Sequence, residues 1–267
     1  MCAGGATTTI YPTTKQDDVT FILRDSGSVV VFAENDDQIA KLTGTDLPDV
    51  RTIVTFDGTT DGHRVLSMDQ LAERGRALLA ERPTAVTDRI AGLEPEHLAT
   101  LIYTSGTTGV PKGARLVHDN WTYEGAAVDA IGILSPDDVQ YLWLPLSHVF
   151  GKVLLAIQLT IGFATAVDGD LDRIVANLAS SRPTFMAGAP RIFEKVRAKV
   201  TLTAQGSGGL KAKIFDWAFA TGIRVSRLRQ AHAPVPAGLK MRYAIANKLV
   251  FTKIQHLVGG RARFFIS

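Results

Sequence analysis

One stretch constrains this chain more than any other. Ala99-Thr100-Leu101-Ile102-Tyr103 runs straight into Thr104-Ser105-Gly106-Thr107-Thr108-Gly109-Val110-Pro111-Lys112-Gly113. The first five residues have the length and the β-branched or aromatic content of a buried strand, so the loop leaves a strand end. Gly106, Gly109 and Gly113 permit positive φ and let a ligand approach the backbone; Ser105, Thr107 and Thr108 offer hydroxyl donors, and Lys112 offers a compact cation. A loop of that make-up suits phosphate oxygens. It is not a Walker-type loop, which requires Gly, four residues, then Gly-Lys-Ser/Thr. Counted from Gly106, Pro111 stands where the second Gly belongs and Gly113 where the magnesium-binding hydroxyl belongs. The plain alternative is a Gly/Thr-rich strand-to-helix turn that touches nothing.

The match extends further than a generic glycine-rich turn. Tyr-Thr-Ser-Gly-Thr-Thr-Gly-x-Pro-Lys-Gly, continued by Leu116-Val117-His118-Asp119-Asn120, closely resembles the phosphate loop of the adenylate-forming superfamily, which includes acyl-CoA synthetases, nonribosomal adenylation domains and firefly-type luciferases. The resemblance implies that the loop grips the β- and γ-phosphates of ATP while a substrate carboxylate attacks the α-phosphate. It nominates Thr104, Ser105, Gly106, Thr107, Thr108, Gly109 and Lys112 as nucleotide contacts, with Lys112 as the catalytic cation.

Two further segments narrow the resemblance to the long-chain acyl-CoA synthetases. Leu144-Pro145-Leu146-Ser147-His148-Val149-Phe150-Gly151 is similar to the segment that lies along their acyl pocket, which nominates His148 and Phe150 as pocket-lining residues. A lone histidine beside apolar residues otherwise reads as a packing residue. Many long-chain members carry an acid at the position of Gly151, so no role tied to that acid is carried over. Pro190-Arg191-Ile192-Phe193-Glu194-Lys195-Val196 is what that branch shows after its acyl-pocket strand, although packing by Ile192, Phe193 and Val196 would explain it equally well.

Composition excludes several classes. The chain has 267 residues, 46% of them hydrophobic, enough to bury a large core. Cys2 is the single cysteine, which excludes an intramolecular disulfide and a cysteine-cluster metal site and makes a reducing, cytoplasmic setting the expectation. The most apolar span, Val153 to Val167, is interrupted by Gln158, Thr160, Gly162 and Thr165 and is too short for a bilayer. The formal charge of +3 conceals an asymmetry: Met186 to Ser267 carries 15 Lys/Arg against Glu194 and Asp216 alone. That basic third could meet an anionic membrane surface, placing the protein peripherally at the inner face of the cell membrane through residues 191–263. It could equally meet coenzyme A phosphates, or be the solvated face of helices. Nucleic acid is not expected, because no reader motif or aromatic platform accompanies the charge.

In chain order, the pattern predicts a helix from Asp17 to Arg24, a buried strand from Ser28 to Ala33, a helix from Gln38 to Leu42 and a strand from Val50 to Phe56, an alternation that favours a parallel sheet. Ser67-Met68-Asp69-Gln70 fits a capping box for a helix reaching about Ala80. Asp119 or Asn120 is expected to cap a helix to about Ile131. Val139–Leu144, Phe163–Val167 and Thr184–Ala187 read as strands, and Val153–Thr160 as a buried helix. Leu171, Ile174, Val175 and Leu178 recur at helical spacing. Leu210–Arg229 and Met241–Val258 read as helices beyond a Gly206–Gly209 joint.

The expected fold is therefore α/β, mixed and mostly parallel sheets flanked by helices. The resemblance identifies residues 1–267 as an incomplete large N-terminal domain of such a synthetase, with the small C-terminal lid domain absent. Its Gly-Gly-Ala opening matches an internal segment of the family, and Arg263–Ser267 stops before the family's Gly-Gly-x-Pro turn and its magnesium-binding acid. What the resemblance implies is ATP-dependent activation of a long-chain fatty acid to acyl-adenylate and then acyl-CoA, with ATP, Mg2+ and coenzyme A as participants. No metal ligand is nominated, and a separate chain is expected to supply the missing part. The alternatives are a non-catalytic remnant or binding module of a split gene, and a fatty acyl-AMP ligase that delivers to a carrier protein.

Overall fold

The structure, a computed structural model, describes residues 4–105, 110–170, 173–206 and 208–267. In chain order these form β1 (Thr7–Thr9), α1 (Gln16–Asp25), β2 (Val30–Ala33), α2 (Asp36–Ala40), β3 (Thr52–Thr55), β4 (Val65–Ser67), α3 (Met68–Glu81), α4 (Ala85–Ala91), β5 (Leu98–Ser105), β6 (Pro111–Val117) and α5 (His118–Ile131). There follow β7 (Val139–Leu142), α6 (Val149–Ile161), β8 (Ala164–Val167), α7 (Ile174–Ser181), β9 (Phe185–Ala187), α8 (Pro190–Gly206), α9 (Gly209–Gln230) and α10 (Ala237–Ala246). A π-helical stretch, Asn247–Phe251, leads into α11 (Thr252–Leu257), and β10 (Phe264–Ile266) closes the series. The chain divides into two compact units, one of residues 1–127 and 146–156, the other of residues 128–145 and 157–267.

The first unit holds two three-stranded sheets, ordered β1-β5-β6 and β2-β3-β4. All their pairings are parallel except the antiparallel β5/β6 hairpin. Val19, Leu23, Ala33, Leu42, Leu47, Val50 and Ile53 form a core. The Ser67 box is made as expected: Ser67 Oγ accepts from the Gln70 N–H at 3.1 Å and Gln70 Oε1 accepts from the Ser67 N–H at 2.9 Å, satisfying two orphan donors of α3. β2 is not the buried strand that its composition suggests. It is an edge strand that leaves Val30 and Phe32 exposed and buries Ala33, because side chains alternate between the two faces of a sheet.

In the second unit a four-stranded parallel sheet runs β10-β9-β7-β8. Asp138, 2% exposed, anchors it beside β7. Its carboxylate accepts from Thr184 Oγ1 at 2.6 Å and from Arg263 at 2.7 and 2.8 Å, and the Ser135 N–H adds a bond at 2.9 Å. Arg263 is thus a structural partner next to β10 and not one of the solvated cations of the basic third. The helical part has its own core of Phe215, Ala218, Ala246 and Val250. The predicted Met241–Val258 helix is present as one continuous helical run from Ala237 to Leu257, in which the π-helical stretch joins α10 to α11 without a break. Gly222 on α9 makes room for this packing, since a Cβ there would stand 2.8 Å from Cζ of Phe251.

Candidate functional site

The segment singled out in the sequence includes the paired ends of β5 and β6, which are antiparallel neighbours, so β5 is followed by a strand and not by a helix. The second strand had no counterpart in the sequence reading, because Pro111-Lys112-Gly113 looks like a continuing loop. Register pairs Tyr103 with Gly113, Thr104 with Lys112 and Ser105 with Pro111. Gly106, Thr107, Thr108 and Gly109 lie outside the described residues.

Alternation along the two strands sorts the motif into two roles. On one face the Tyr103 ring lies over Gly113: a Cβ at 113 would stand 2.9 Å from Tyr103 Cζ. The Tyr103 hydroxyl donates to Asp25 Oδ2, at the end of α1, at 2.6 Å. Burial, followed by that hydrogen bond and the Asp25 charge, pushes the phenol above its ordinary range. On the other face are Thr104 and Lys112, both exposed. Among the described residues Lys112 has no hydrogen-bond or ion-pair partner. The ends of the motif therefore hold the hairpin, and its open face presents a hydroxyl and an uncommitted ammonium directly opposite one another.

After β6, α5 begins at His118, earlier than its predicted cap. Asn120 then acts from within the first turn, its Oδ1 accepting from the Val117 N–H at 2.9 Å. His148 and Phe150 sit at the N-terminus of α6. His148 is exposed and its Nδ1 accepts from the Phe150 N–H at 3.2 Å, so the imidazole caps the helix and keeps Nε2 as its outward ring nitrogen. Phe150 is half-buried. Among the described residues no hydrogen bond joins His148 to Thr104 or Lys112.

One residue of this unit was not foreseen. Lys152, in the first turn of α6, is 9% exposed, and its Nζ donates to Thr7 Oγ1 on β1 at 3.3 Å. Thr7 in turn shares a 3.2 Å hydroxyl contact with Thr100 on β5. Burial lowers the Lys152 pKa. Its place in an apolar helix, directly before Val153-Leu154-Leu155, was the available signal. Among the described residues no group of three or more His, Cys, Asp or Glu is arranged to hold a metal ion, and no residue is assigned to magnesium.

A family model described as AMP-binding enzyme matches residues 1–259. The chain is 32% identical over 278 residues to the long-chain-fatty-acid–CoA ligase FadD15 of Mycobacterium bovis, an alignment covering 100% of this chain and 44% of the relative. It is 29% identical over 271 residues to the long-chain-fatty-acid–CoA ligase ACSBG2 of Homo sapiens, covering 97% and 39%. It thus spans less than half the length of these relatives. Among solved structures, it superposes on the inhibitor-bound N-terminal domain of FACL13 from Mycobacterium tuberculosis with a TM-score of 0.54 at 24% identity, over 70% of this chain and 44% of that one. VinN in complex with L-aspartate gives 0.54 at 21%, over 73% and 45%. At such identities the likeness speaks for the fold.

Proposed function

The chain belongs to the AMP-binding enzyme family, and on that premise we propose that it forms part of the large domain of an AMP-forming long-chain fatty-acid–CoA ligase. A fatty-acid carboxylate oxygen bonds to the α-phosphorus of ATP as the bond from that phosphorus to the bridging oxygen breaks, giving acyl-adenylate and pyrophosphate. The thiol of coenzyme A then adds to the acyl carbonyl, gives up its proton and displaces AMP.

The observation that carries this reading is the exposed Lys112 ammonium, set opposite Thr104 at the loop end of the β5/β6 hairpin. An uncommitted cation and a hydroxyl there can neutralise and orient phosphate oxygens as charge develops on them. His148 and Phe150 take the acyl side of the site. Hydrophobic burial favours a long tail by about 0.8 kcal/mol per methylene. The relatives' names support a fatty acid and coenzyme A as the other reactants.

The test is Lys112→Ala in a complete enzyme carrying this sequence. One charge-assisted phosphate contact contributes about 1.5–3 kcal/mol, so productive use of ATP should fall roughly ten- to a hundredfold. Unchanged adenylation kinetics would remove Lys112 from the site. Supplying coenzyme A or a carrier protein as acceptor in the same assay separates the ligase from a fatty acyl-AMP ligase.

A further inference from the structure

Lys152 brings a positive charge into the first unit with nothing to neutralise it. The residue is 9% exposed, and among the described residues no carboxylate lies within ion-pair distance of its ammonium. Of the three ammonium donors one is used, in the 3.3 Å contact with Thr7 Oγ1. A buried cation left without a counter-charge opposes folding, and burial accordingly lowers the Lys152 pKa, with no charged neighbour contributing to the shift. Packing alone would be served better by an apolar side chain of the same length. β1 supplies a second open group. Side chains two apart on a strand share a face, so Thr9 lies beside Thr7, about 7 Å along β1. Its buried hydroxyl has no hydrogen-bond partner among the described residues, whereas the Thr7 hydroxyl is already shared with Thr100 Oγ1 at 3.2 Å. An ammonium and a hydroxyl left open at that spacing can be bridged by one carboxylate, with one oxygen to each.

The same face of the sheet leads to the loop end of the hairpin. Thr100, Ile102 and Thr104 alternate onto one face of β5, and Lys112 stands opposite Thr104. Four residues separate Thr100 from Thr104, about 13 Å along the strand, and the side chain between them on that face is the apolar Ile102. A carboxylate held by Lys152 is therefore too far from Thr104 and Lys112 to be the one that reacts at a phosphorus there. It has to be a second carboxylate, at the other end of an apolar chain.

We propose that Lys152 and Thr9 receive the distal carboxylate of an α,ω-dicarboxylic fatty acid, whose other carboxylate is the one activated. The activation rests on the ligase reading; the binding of the distal carboxylate does not.

The experiment compares dodecanedioate with dodecanoate. In titration calorimetry on the 267-residue chain, dodecanedioate is expected to bind more tightly by roughly ten- to a hundredfold, the value of one charge-assisted contact. Lys152→Met should abolish that difference, and Thr9→Val should reduce it about two- to tenfold. Lys152→Met removes a buried charge and keeps an apolar stem of similar length, so it should retain the parent circular dichroism spectrum. Lys152→Arg, which keeps the charge, should retain part of the preference. Acetate should not compete; competition by acetate would assign the pair to any small free carboxylate and overturn the proposal. Equal binding of the two acids by the parent, or a preference that survives in Lys152→Met, also overturns it. Pyrophosphate release from ATP by a complete enzyme carrying this sequence separates the two readings. Release with either acid at equal kcat/KM overturns the dicarboxylate proposal and leaves the ligase reading standing. Selective binding of dodecanedioate without release overturns the ligase reading and leaves the carboxylate site at Lys152 standing.

Discussion

The hydroxyl of Tyr103 donates to Asp25 Oδ2 at 2.6 Å, tying the first residue of the phosphate-loop motif to the last residue of α1. The motif's hairpin is thereby held from the face opposite Lys112.

That bond makes Tyr103 ionise late. Burial, then the Asp25 hydrogen bond and charge, raise its pKa, and Tyr141 is raised in the same way by burial and by Asp168. A raised folded-state pKa contributes stability that is complete below the unfolded value of about 10 and is lost as pH climbs through the folded value. Two of the five tyrosines should therefore appear as a late fraction in a phenolate absorbance titration, and Tyr103→Phe should remove one of them. A late fraction unchanged in that variant would show that the bond is not made in solution.

Gly113→Ala should destabilise the protein by about 1–3 kcal/mol, since its Cβ would sit 2.9 Å from the Tyr103 ring. Urea unfolding measures the loss. Tyr103→Ala in the same chain should make the glycine substitution nearly harmless, a non-additivity expected of groups in contact.

Asp138→Asn should cost about 1–3 kcal/mol, because the buried side chain loses its charge-assisted hydrogen bonds from Arg263, whose own guanidinium is half-exposed and stays hydrated. Burial raises the Asp138 pKa, but hydrogen bonds from Thr184, Ser135 and Arg263, with the Arg263 charge, outweigh it and hold the carboxyl below its ordinary value. A depressed carboxyl contributes stability that is present above the unfolded value of about 3.9 and is lost as pH falls through the folded one. The variant's acid unfolding should therefore be shallower than the parent's at the low end.

Lys152 works in the opposite sense. Its pKa is lowered by burial, so the charged form opposes folding, and stability rises as pH climbs from the folded value toward about 10.4. Lys152→Met should be more stable than the parent at neutral pH, and the advantage should shrink in alkaline urea titrations. A less stable variant at neutral pH would mean that the bond to Thr7 outweighs desolvation.

Lys112→Ala should leave urea unfolding within about 0.5 kcal/mol of the parent, as expected for an exposed side chain away from structural features. A larger loss would give Lys112 a structural role that the hairpin geometry does not show.

Much of this was legible in local chemistry. The capping box at Ser67 and Gln70, the helix start at Pro190 and the strand leading into the phosphate loop each depend on residues within a turn of one another. β6 was missed because Pro111 and Gly113 are poor strand formers. Gly113 is there for Tyr103, ten residues earlier, and no local pattern reports that contact. The sheets' edges were equally hidden: a run such as Val29-Val30-Val31-Phe32 reads the same whether one face or both are covered.

By itself, then, the amino-acid order determined the α/β alternation, the glycine- and hydroxyl-rich composition of residues 104–112 and the charge asymmetry of the last third, since propensity, side-chain type and charge are local quantities. Tertiary structure alone decided that Tyr103 and Gly113 brace the hairpin while Thr104 and Lys112 face outward, that Lys152 is buried against Thr7, and that Arg263 serves Asp138. The physical reason is that burial and pairing depend on which distant segments share a face, and strand register and helix packing set that only once the chain has folded.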